Sequence, residues 1–415
     1  MASDKQDKVL NVPTLRFPEF SGEWKDIRLR ELCKFLSGGT PSIDNNEYWE
    51  GDIPFVSAIA MHDTHIEKTP LHLTEKGVNN GSKQLKAGNL LLLVRGSMLW
   101  NKIPICYNDV DVAFNQDVKG IIPNNNTTSL FLLNWIQSHE NRIKYMVTGT
   151  GIGAGKLDSE DLLALNVKLP SLVEQRKIEK FLSLIDERIT TQNRIIEKLQ
   201  SLITGLNDFL MDNPSWENVR VGDFMDFYST NSLSWEQLDY NQGEVKNLHY
   251  GLIHSGLPTL IDCRTSSLPN IKDEFLPKQY TLCEDGDVAF ADASEDTNEV
   301  GKAVEIIDCR EQSIVCGLHT IHGRDKANAT IVGFKGFAFN AKYFHNQLRR
   351  ISQGSKIYSI STDNIKSCFL RIPPKSEQEK IVRLLSTYLQ KIDVAEQTLK
   401  AYQIQKQYLL KTLFI

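Results

Sequence analysis

Apolar side chains recur with helical spacing in two long segments of the chain, and each segment is predicted to form one long α-helix. Within both segments the spacing alternates between four and three residues without a break. This alternation keeps one apolar seam facing a partner helix and is typical of a coiled coil. Polar residues interrupt each seam once, and such residues fix the register of paired helices. The predicted seams are Ile178, Leu182, Ile185, Ile189, Gln192, Ile196, Leu199, Ile203, Leu206 and Leu210 in the first helix, and Ile381, Leu385, Tyr388, Ile392, Ala395, Leu399, Tyr402, Lys406, Leu409 and Leu413 in the second.

The two predicted helices are expected to pack on each other. Each has roughly 40 residues and, at about 1.5 Å per residue, a length of about 60 Å. Because such a helix is improbable alone in water, an antiparallel pair is expected, with the globular segments at opposite ends. A second apolar row runs beside the first seam: Phe181, Ile195, Leu202 and Phe209. This row either packs on the protein's own domains or forms a docking surface for another subunit.

A short motif occurs twice, and each copy stands where one of these helices begins. The first copy reads L-P-S-L-V-E-Q-R-K-I from Leu169, and the second reads I-P-P-K-S-E-Q-E-K-I from Ile372. Alignment of Ile178 with Ile381 gives an offset of 203 residues (381 minus 178), close to half of the chain. The chain is therefore predicted to be an internal duplication.

Local signals mark the ends of the helices. Ser171 with Glu174 offers a capping box at the start of the first helix, and Ser376 with Glu379 offers one at the start of the second. The sequence Asp-Asn-Pro at 212–214 is predicted to end the first helix.

The segments 20–168 and 216–371 are predicted to be mixed α and β structure. Short apolar runs bounded by glycine-rich turns indicate strands, and helical spacing indicates further helices. Leu85 to Leu90 and Leu282 to Val288 are predicted to be the same approach to a strand in both halves. The predicted strands are 90–94, 103–107, 288–290 and 302–307, and the predicted helices are 131–145 and 339–351.

Composition narrows the class of protein. At 415 residues the chain should hold two or three domains, given roughly 150 residues per domain. Its 41% hydrophobic and 24% charged residues are typical of a globular protein. Because the seven cysteines form no C-x-x-C pair, we expect a reduced, cytoplasmic protein. No apolar run approaches the roughly 20 residues of a membrane span, and the N-terminus lacks the apolar core of a signal peptide. A net charge of −5 excludes a uniformly basic nucleic-acid binder, so DNA binding would depend on local patches or a partner's surface.

The sequence contains no credible catalytic constellation, so no catalytic residue is predicted on this chain. The glycine-rich run 149–156 lacks the strand-to-helix setting of a dinucleotide site and the Ser or Thr that a P-loop places after its lysine, so a flexible connector is predicted. The pairs His62-x-x-His65 and His319-x-x-His322 lack further ligands at zinc spacing, so no metal site is predicted. Glu244-Val-Lys246 has no well-spaced Pro-Asp before it, and neither a methyltransferase motif nor a G-x-S-x-G elbow occurs.

What remains is binding chemistry. Arg and Lys suit guanine edges and phosphates, and Asn and Gln suit adenine, so polar and aromatic residues on predicted loops are candidates for base readout. As a set on two dissimilar units, they fit this role better than a small-molecule pocket. The predicted DNA contacts are Ser37, Thr40, Tyr48, Trp49, Arg95, Ser97, Lys102, Asn115, Gln116, Tyr228, Asn231, His249, Tyr250, Arg264, Ser294, His319 and Lys356, with Trp100, Thr230, Ser232, His254, Arg349 and Arg350 as further candidates.

The doubled Pro-x-x-x-Glu-Gln-x-Lys-Ile, each copy followed by a heptad helix, resembles the DNA-specificity subunit of a type I restriction-modification enzyme. The resemblance covers nearly the whole chain, and the doubled architecture is its specific part. The motifs that carry it are Pro170, Glu174, Gln175, Lys177 and Ile178; Pro373, Glu377, Gln378, Lys380 and Ile381; Trp24 and Trp216 with Arg28 and Arg220; Gly39-Thr40-Pro41-Ser42; Tyr48-Trp49; His249-Tyr250-Gly251; and Gly317-Leu318-His319-Thr320.

The resemblance implies an α+β fold in which two mixed α/β target-recognition domains are joined by two long antiparallel coiled-coil helices, with an internal pseudo-twofold repeat. Each recognition domain would read one half of a split site in double-stranded DNA. The helices, at about 171–211 and 375–414, would act as a ruler. The implied domain bounds are 1–168 and 214–371 for the recognition domains, and 169–213 and 372–415 for the helices.

The resemblance also implies partners. The helices would dock two modification subunits, which are methyltransferases that use S-adenosylmethionine. Restriction subunits, which are ATP- and Mg-dependent translocase-nucleases, would complete the complex, and this chain itself would bind no cofactor and no membrane. The residues expected to serve helix pairing and subunit docking are Ile178, Leu182, Ile185, Ile189, Ile196, Leu199, Leu206, Ile381, Leu385, Tyr388, Ile392, Leu399 and Leu409.

Two alternatives stay open at this point. One is a self-contained DNA nuclease or methyltransferase with degenerate motifs, which purified chain cutting or modifying DNA would support. The other is a coiled-coil scaffold that binds only proteins, which a failure to shift any duplex in the presence of modification subunits would support.

Overall fold

The structure, a computed structural model, describes residues 11–151, 153–297, 299–309, 312–354 and 356–415. These residues divide into two units: one holds the residues up to Asn193 together with Thr398–Ile415, and the other holds Arg194–Gln397. The division cuts both long helices, so each unit contains one mixed α/β body and a part of each helix. The predicted bounds at residues 168, 213 and 371 lie at helix ends instead, and that four-part division stays a prediction.

The body of the first unit consists of short strands and helices. Its strands are β1 (Lys25–Arg28), β2 (Cys33–Ser37), β3 (Trp49–Val56), β4 (His65–Ile66), β5 (Leu71–Leu73), β6 (Gln84–Leu85), β7 (Leu90–Leu93), β8 (Arg95–Gly96), β9 (Ile105–Asn108), β10 (Val112–Phe114), β11 (Val118–Pro123), β12 (Thr148–Gly149), β13 (Gly155–Lys156) and β14 (Asn166–Leu169). Its helices are α1 (Leu29–Leu32), α2 (Glu75–Asn79), α3 (Ser129–Ser138), α4 (Glu140–Lys144) and α5 (Ser159–Leu163), and the first long helix, α6 (Leu172–Met211), follows.

The second unit repeats this composition. Its strands are β15 (Glu217–Arg220), β16 (Met225–Tyr228), β17 (Leu238–Asp239), β18 (Val245–Leu248), β19 (Leu260–Asp262), β20 (Asn270–Ile271), β21 (Val288–Ala291), β22 (Ala293–Ser294), β23 (Ala303–Ile307), β24 (Ser313–Cys316), β25 (Thr320–Asp325), β26 (Tyr358–Ser359) and β27 (Phe369–Ile372). Its helices are α7 (Val221–Phe224), α8 (Tyr250–His254), α9 (Phe334–Asn340), α10 (Lys342–Ile351) and α11 (Thr362–Ser367), and the second long helix is α12 (Lys375–Leu413).

The five-stranded sheets of the two bodies have the same topology, and parts of the smaller sheets correspond. A five-stranded sheet runs β2-β11-β7-β9-β4 in the first body and β16-β25-β21-β23-β19 in the second. A second sheet pairs β3 with β10 and β18 with β24, in parallel in both bodies, and β1 with β14 matches β15 with β27. The predicted internal duplication is therefore confirmed at the level of the fold.

The common approach to a central strand is confirmed in detail. Gly88 and Gly286 both have φ of +88°. Gly88 donates to the carbonyl of Asn108, and Gly286 donates to that of Ile306, each at 2.8 Å. A left-handed residue turns the chain into the strand here, and glycine adopts that conformation at little cost.

The strands predicted from apolar runs are present, but both predicted short helices are divided. The segment 131–145 forms α3 and α4, because the backbone leaves the helical region at His139, whose ring Nδ1 lies 2.9 Å from the carbonyl of Trp135. The segment 339–351 falls on α9 and α10, which are separated by an extended residue, Ala341. These breaks are set by single backbone angles, which the helical spacing does not reveal.

The two long helices are confirmed, with 40 residues in α6 and 39 in α12. In the first unit they run antiparallel: Asp186 pairs with Lys406 at 2.6 Å, and two residues further along α6, Arg188 lies over the ring of Tyr402. Lys406, the polar interruption of the second seam, is thus neutralised by a carboxylate on the facing helix. Every predicted seam residue is buried or half-buried.

Each helix pair completes the core of its body. In the first unit Ile178 and Leu182 share a core with Phe131 and Phe414. In the second unit Ile381 and Leu385 share a core with the phenylalanines of β21, α9 and α10. Because the helices bury their apolar faces in the bodies as well as in each other, body and helices form one packed structure in each unit.

The predicted capping boxes are only partly formed. The backbone N–H of Glu174 donates to Ser171 Oγ at 3.3 Å, but the Glu174 carboxylate accepts from Arg16 at 2.8 Å and from the indole of Trp24 at 3.2 Å. In the first copy, the tryptophan that opens the repeat is therefore bonded to the glutamate of the motif. The second box is wrong, because α12 begins at Lys375 and Ser376 therefore lies inside the helix.

Among the described residues, no helix is both long enough and apolar enough to span a bilayer.

Candidate nucleic-acid interface

In the first unit, four of the predicted DNA contacts converge at one edge of the body. Thr40 donates to Gln116 Oε1 at 2.8 Å, and Lys119 donates to Ser37 Oγ at 2.7 Å. Asn115 precedes Gln116 in the loop between β10 and β11 and is half-buried. The exposed hydroxyl and amide groups form a continuous polar edge with one cation, which suits hydrogen bonding to bases and phosphate.

Glycines bring these residues together. A Cβ on Gly38 would lie 2.2 Å from the carbonyl oxygen of Phe114, so no other residue fits there without a shift of the backbone. Gly39 donates to the same carbonyl at 3.0 Å. The chain after β2 can therefore approach β10 closely enough for Thr40 to meet Gln116.

Tyr48 and Trp49 support this edge from behind. The indole nitrogen of Trp49 donates to the carbonyl of Ser42 at 3.1 Å, and its ring packs edge-on against Phe55 at 5.5 Å. Both residues are half-buried. The contacts of Trp49 hold the loop that carries Thr40, while a direct contact of Tyr48 or Trp49 with DNA stays a prediction.

Arg95, Ser97 and Lys102 lie near the glycine-rich run. Contrary to the prediction of a connector, the described part of this run forms a hairpin of β12 and β13, and Arg95 on β8 pairs in register with Lys156. The indole of Trp100 donates to the carbonyl of Gly153 at 3.0 Å and holds the turn. Arg95, Ser97 and Lys102 are exposed, so this hairpin presents cations to the solvent; Ile152 lies outside the described residues.

In the second unit, aromatic and imidazole rings form a single cluster. The ring of Tyr250 lies 4.8 Å from His249 and 5.1 Å from His319, and Trp235 lies 4.5 Å from His249. His254 meets Tyr250 edge-on at 5.9 Å. The structure thus brings together His249, Tyr250 and His319, which the sequence offered as separate candidates, and adds Trp235, which sequence reasoning did not select.

The cluster has two distinct imidazoles. His249 is buried, its Nδ1 accepts from the N–H of Gly251 at 3.1 Å, and burial together with the neighbouring His319 lowers its pKa. His319 is half-exposed, adopts a left-handed φ of +54°, and pairs through Nδ1 with Asp292 at 3.1 Å. Burial raises the pKa of Asp292 against the opposing effect of His319. Because its ring is the exposed imidazole of the cluster, His319 is the strongest candidate contact in this unit.

The remaining predicted contacts of the second unit have other partners. Arg264 binds Asp262 and Asp308 at 2.9 and 2.8 Å, so its charge is already paired. Asn231 donates to the carbonyl of Cys316 at 3.1 Å, and Tyr228 lies under the guanidinium of Arg324 at 5.0 Å. These contacts are structural, and the DNA-binding roles of these three residues stay predictions.

In the second unit, the paired strands β22 and β26 and the end of α10 carry the other candidate DNA contacts. Ser294 on β22 pairs in register with Tyr358 on β26, as Arg95 pairs with Lys156 in the first unit. Lys356 lies exposed just before β26. Arg349 and Arg350, exposed at the end of α10, line a pocket with Asn346 and Thr297.

The seam residues are buried or half-buried, which fits helix pairing, while their predicted role in subunit docking stays a prediction. Apolar residues on other helix faces are exposed instead. Phe181 of the second apolar row packs against Phe17 at 5.8 Å, whereas Ile195, Leu202 and Phe209 are exposed, Phe209 to 79%. For these three residues, the structure contradicts the alternative in which the row packs on the protein's own domains.

The two bodies share one framework, each carries a different polar surface, and each ends on a long helix. This arrangement defines a duplicated recognition protein. Residues 21–201 and 213–402 match the family model described as type I restriction modification DNA specificity domain, and the chain belongs to that family.

Curated relatives are similar over part of their length. The chain is 32% identical over 211 residues to the type I restriction enzyme EcoR124I/EcoR124II specificity subunit of Escherichia coli, covering 49% of this chain and 52% of that protein. It is 25% identical over 252 residues to the MjaIX specificity subunit of Methanocaldococcus jannaschii, covering 54% and 56%. The matched part of the chain thus spans about half the length of these relatives.

Solved structures share the fold over nearly the whole chain. The S subunit of a type I restriction-modification system from M. genitalium superposes with a TM-score of 0.56 at 15% identity, covering 97% of this chain and 99% of that one. A chain from a study of complex assembly and conformational transition of the type I R-M system gives a TM-score of 0.57 at 15% identity, with 94% and 97% covered. At this identity the likeness concerns the fold.

Proposed function

We propose that this chain is the non-catalytic specificity subunit of a type I restriction-modification enzyme. Each body reads one half of a bipartite site in double-stranded DNA. The observation that carries the proposal is a repeated framework with unlike loops: Thr40 and Gln116 face solvent at one edge of the first body, while Tyr250 and His319 occupy the exposed cluster of the second. Different side chains on one scaffold are what two different half-sites require.

Local cations supply the phosphate contacts in this proposal. The net charge of −5 gives no general attraction to DNA, but Arg95, Lys102 and Lys156 are exposed on the hairpin region of the first body, and Arg349 and Arg350 are exposed in the second. Phosphate contacts fix the register of a protein on the duplex, and base contacts then specify the sequence.

The helices would dock two modification subunits and set the distance between the half-sites. Exposed apolar residues at Ile195, Leu202 and Phe209 recur every seven residues along one face of α6, and such a face is characteristic of an interaction surface. In this proposal S-adenosylmethionine binds to the modification subunits, ATP and Mg²⁺ bind to the restriction subunits, and the assembled enzyme acts on DNA in the cytoplasm.

The test is to map methylated adenines in cells that express the modification subunits with and without this chain. The proposal predicts methylation at a split motif with a fixed gap, and only when the chain is present. Methylation that is independent of the chain contradicts it. Cutting or modification of DNA by the purified chain alone favours a self-contained enzyme, and a failure of chain plus modification subunits to shift any duplex favours a protein scaffold.

A further inference from the structure

Three side chains with metal-ligating atoms meet inside the second body. Cys283, Cys316 and His322 are exposed to only 5%, 2% and 1%, and their ligand atoms lie within 4.8 Å of one another. The two sulfur atoms are 3.7 Å apart. Two thiols and an imidazole meet in one buried place, either because the packing requires them or because they bind a ligand. The duplicated fold distinguishes these two explanations.

The first body shows what this position contains when only packing matters. In the five-stranded sheets, Leu91 of β7 pairs with Gly120 of β11, and Ala289 of β21 pairs with His322 of β25. The loops next to these strands are also matched, since Val94 donates to the carbonyl of Asp117 and Asp292 donates to that of His319. Gly120 is therefore the counterpart of His322.

The cysteines have counterparts by the same criterion. Gly39 donates to the carbonyl of Phe114, the last residue of β10, and Asn231 donates to that of Cys316, the last residue of β24. Phe114 thus corresponds to Cys316. Leu85 pairs with β10, and Cys283 donates its N–H to β24, so Leu85 corresponds to Cys283.

The counterparts fill the space with carbon. A Cβ on Gly120 would lie 3.1 Å from Phe114 Cζ and 3.2 Å from Leu85 Cδ1, so the phenylalanine and leucine side chains occupy the room that His322 takes in the second body. In the first body, apolar side chains alone therefore fill this part of the core. Replacement of all three by two thiols and an imidazole is not required by the packing, which indicates a ligand.

His322 is oriented as metal-binding histidines are. Its Nε2 lies 2.7 Å from Asp287 Oδ2, and this carboxylate is itself held by Arg324 at 2.8 and 2.7 Å and by the N–H of Glu284 at 2.8 Å. A carboxylate on one ring nitrogen fixes the tautomer and leaves the other nitrogen free to bind a metal. Arg324 is shared between Asp287 and the exposed Glu284, so the two thiolates carry the charge that would balance a dication.

We propose that Cys283, Cys316 and His322 bind a Zn²⁺ ion in the core of the second body. A Zn–S distance of about 2.3 Å in tetrahedral geometry places two sulfurs about 3.8 Å apart, close to the separation observed. Binding releases one proton from each thiol, and the three protein ligands leave the fourth position to water. No external oxidant or reductant takes part.

The ion would stiffen the recognition surface. Cys316 is followed directly by Gly317-Leu318-His319, which leads to the left-handed His319, and its carbonyl accepts hydrogen bonds from both the backbone and side-chain nitrogens of Asn231. A metal at Cys316 would therefore fix the loop that carries the strongest candidate DNA contact. This consequence, unlike the zinc site itself, rests on the proposed function.

The experiment uses the full chain, purified without chelators with its partner subunits where needed for solubility. Mass spectrometry of the metal content should find about one zinc per chain, and replacement by Co²⁺ should give thiolate-to-cobalt charge-transfer absorption. Cys283→Leu, which installs the residue that the first body uses, should weaken zinc binding by about tenfold or more. Cys368→Ala, a buried cysteine of the same body outside the group, should keep the metal.

Wild-type protein that takes up no zinc and gives no cobalt–thiolate absorption overturns the proposal, and this measurement needs no variant. Retention of zinc by Cys283→Leu with loss in Cys263→Ser also overturns it, because Cys263 and Cys309 form a separate thiol pair 3.0 Å apart. Zinc content and DNA methylation are read separately, so a failure of the metal site is distinguishable from a failure of the proposed function.

Discussion

Gln378 donates from Nε2 to the carbonyl oxygen of Pro373 at 2.9 Å, where α12 begins. Gln175 does the same with Pro170 at 3.0 Å, where α6 begins. Both glutamine side chains are fully buried. The repeated motif that first reveals the duplication in the sequence is thus a repeated structural joint.

Each glutamine makes a second bond that ties the helix to its body. Gln175 Nε2 also donates to the carbonyl of Asn126, and Gln378 Nε2 to that of Ala329, both at 3.0 Å and both 49 residues earlier in the chain. These carbonyls lie in the loops before α3 and α9. One buried amide therefore fixes the start of the long helix and the neighbouring loop together.

The joint predicts a loss of stability in both units, the larger one at Gln378, whose Oε1 also accepts from the N–H of Ile331 at 2.8 Å. Gln175→Leu and Gln378→Leu should each lower the free energy of unfolding by about 2–4 kcal/mol, because two buried carbonyls lose their donor. Chemical denaturation followed by circular dichroism measures the loss. Gln200→Leu, at an exposed position of α6, is the matched control and should change stability by about 0.5 kcal/mol or less. A loss in the control as large as in the joint variants contradicts this account.

Two buried thiols predict how the first unit responds to pH. Burial raises the pKa of Cys33 and Cys106 to about 12, against about 8.5 in an unfolded chain. Native protein should therefore resist alkylation at these residues near pH 8, where unfolded protein reacts. Because the folded pKa is the higher one, the stabilisation by neutral thiols is complete below about pH 8.5 and is lost as the pH rises toward 12. Peptide mass spectrometry after iodoacetamide treatment tests this, and equal labelling of the two thiols in native and unfolded protein refutes it.

The exposed apolar row of α6 predicts a partner interface. Leu202→Glu and Phe209→Glu should weaken binding of the modification subunits by about 2 kcal/mol or more each, roughly 30-fold, because a charge replaces an apolar contact. Both side chains are exposed, so the fold should be unchanged by circular dichroism. Gln200→Glu adds the same charge at an exposed position nearby and should bind normally. If all three variants bind equally well, the row is not the interface.

The two polar surfaces predict separable specificities. His319→Ala should relax recognition in one half of the methylated motif by about 1–3 kcal/mol, and Gln116→Ala should do so in the other half. Methylation of a library of duplexes by the assembled modification enzyme measures both halves at once. Loss of discrimination in the same half for both variants would contradict the division of labour.

The sequence was sufficient for those features that depend on local pattern. The seams of α6 and α12 follow from regular spacing, and the repeat follows from the copies at Gln175 and Gln378. The divided helices were missed, because a break at His139 or Ala341 depends on individual backbone angles. The buried group of Cys283, Cys316 and His322 cannot be predicted from spacing, because strand pairing brings these residues together from distant segments and His319 is not among them.

The candidate recognition residues follow from residue type, and the structure brings only some of them together. His249, Tyr250 and His319 converge, yet Arg264 is held by two carboxylates that the sequence pattern does not reveal. Side chains that contact bases are selected for a particular target, so their positions follow from the tertiary structure and the DNA rather than from periodicity.

The central claim is that each body reads its own half of the site. It is tested most directly by exchanging residues 20–168 for the corresponding body of another family member, and by mapping methylated adenines at single-molecule resolution in cells with matching modification subunits. The account predicts that one half of the motif changes while the other half and the gap between them stay the same. A change in both halves, or in neither, would contradict it.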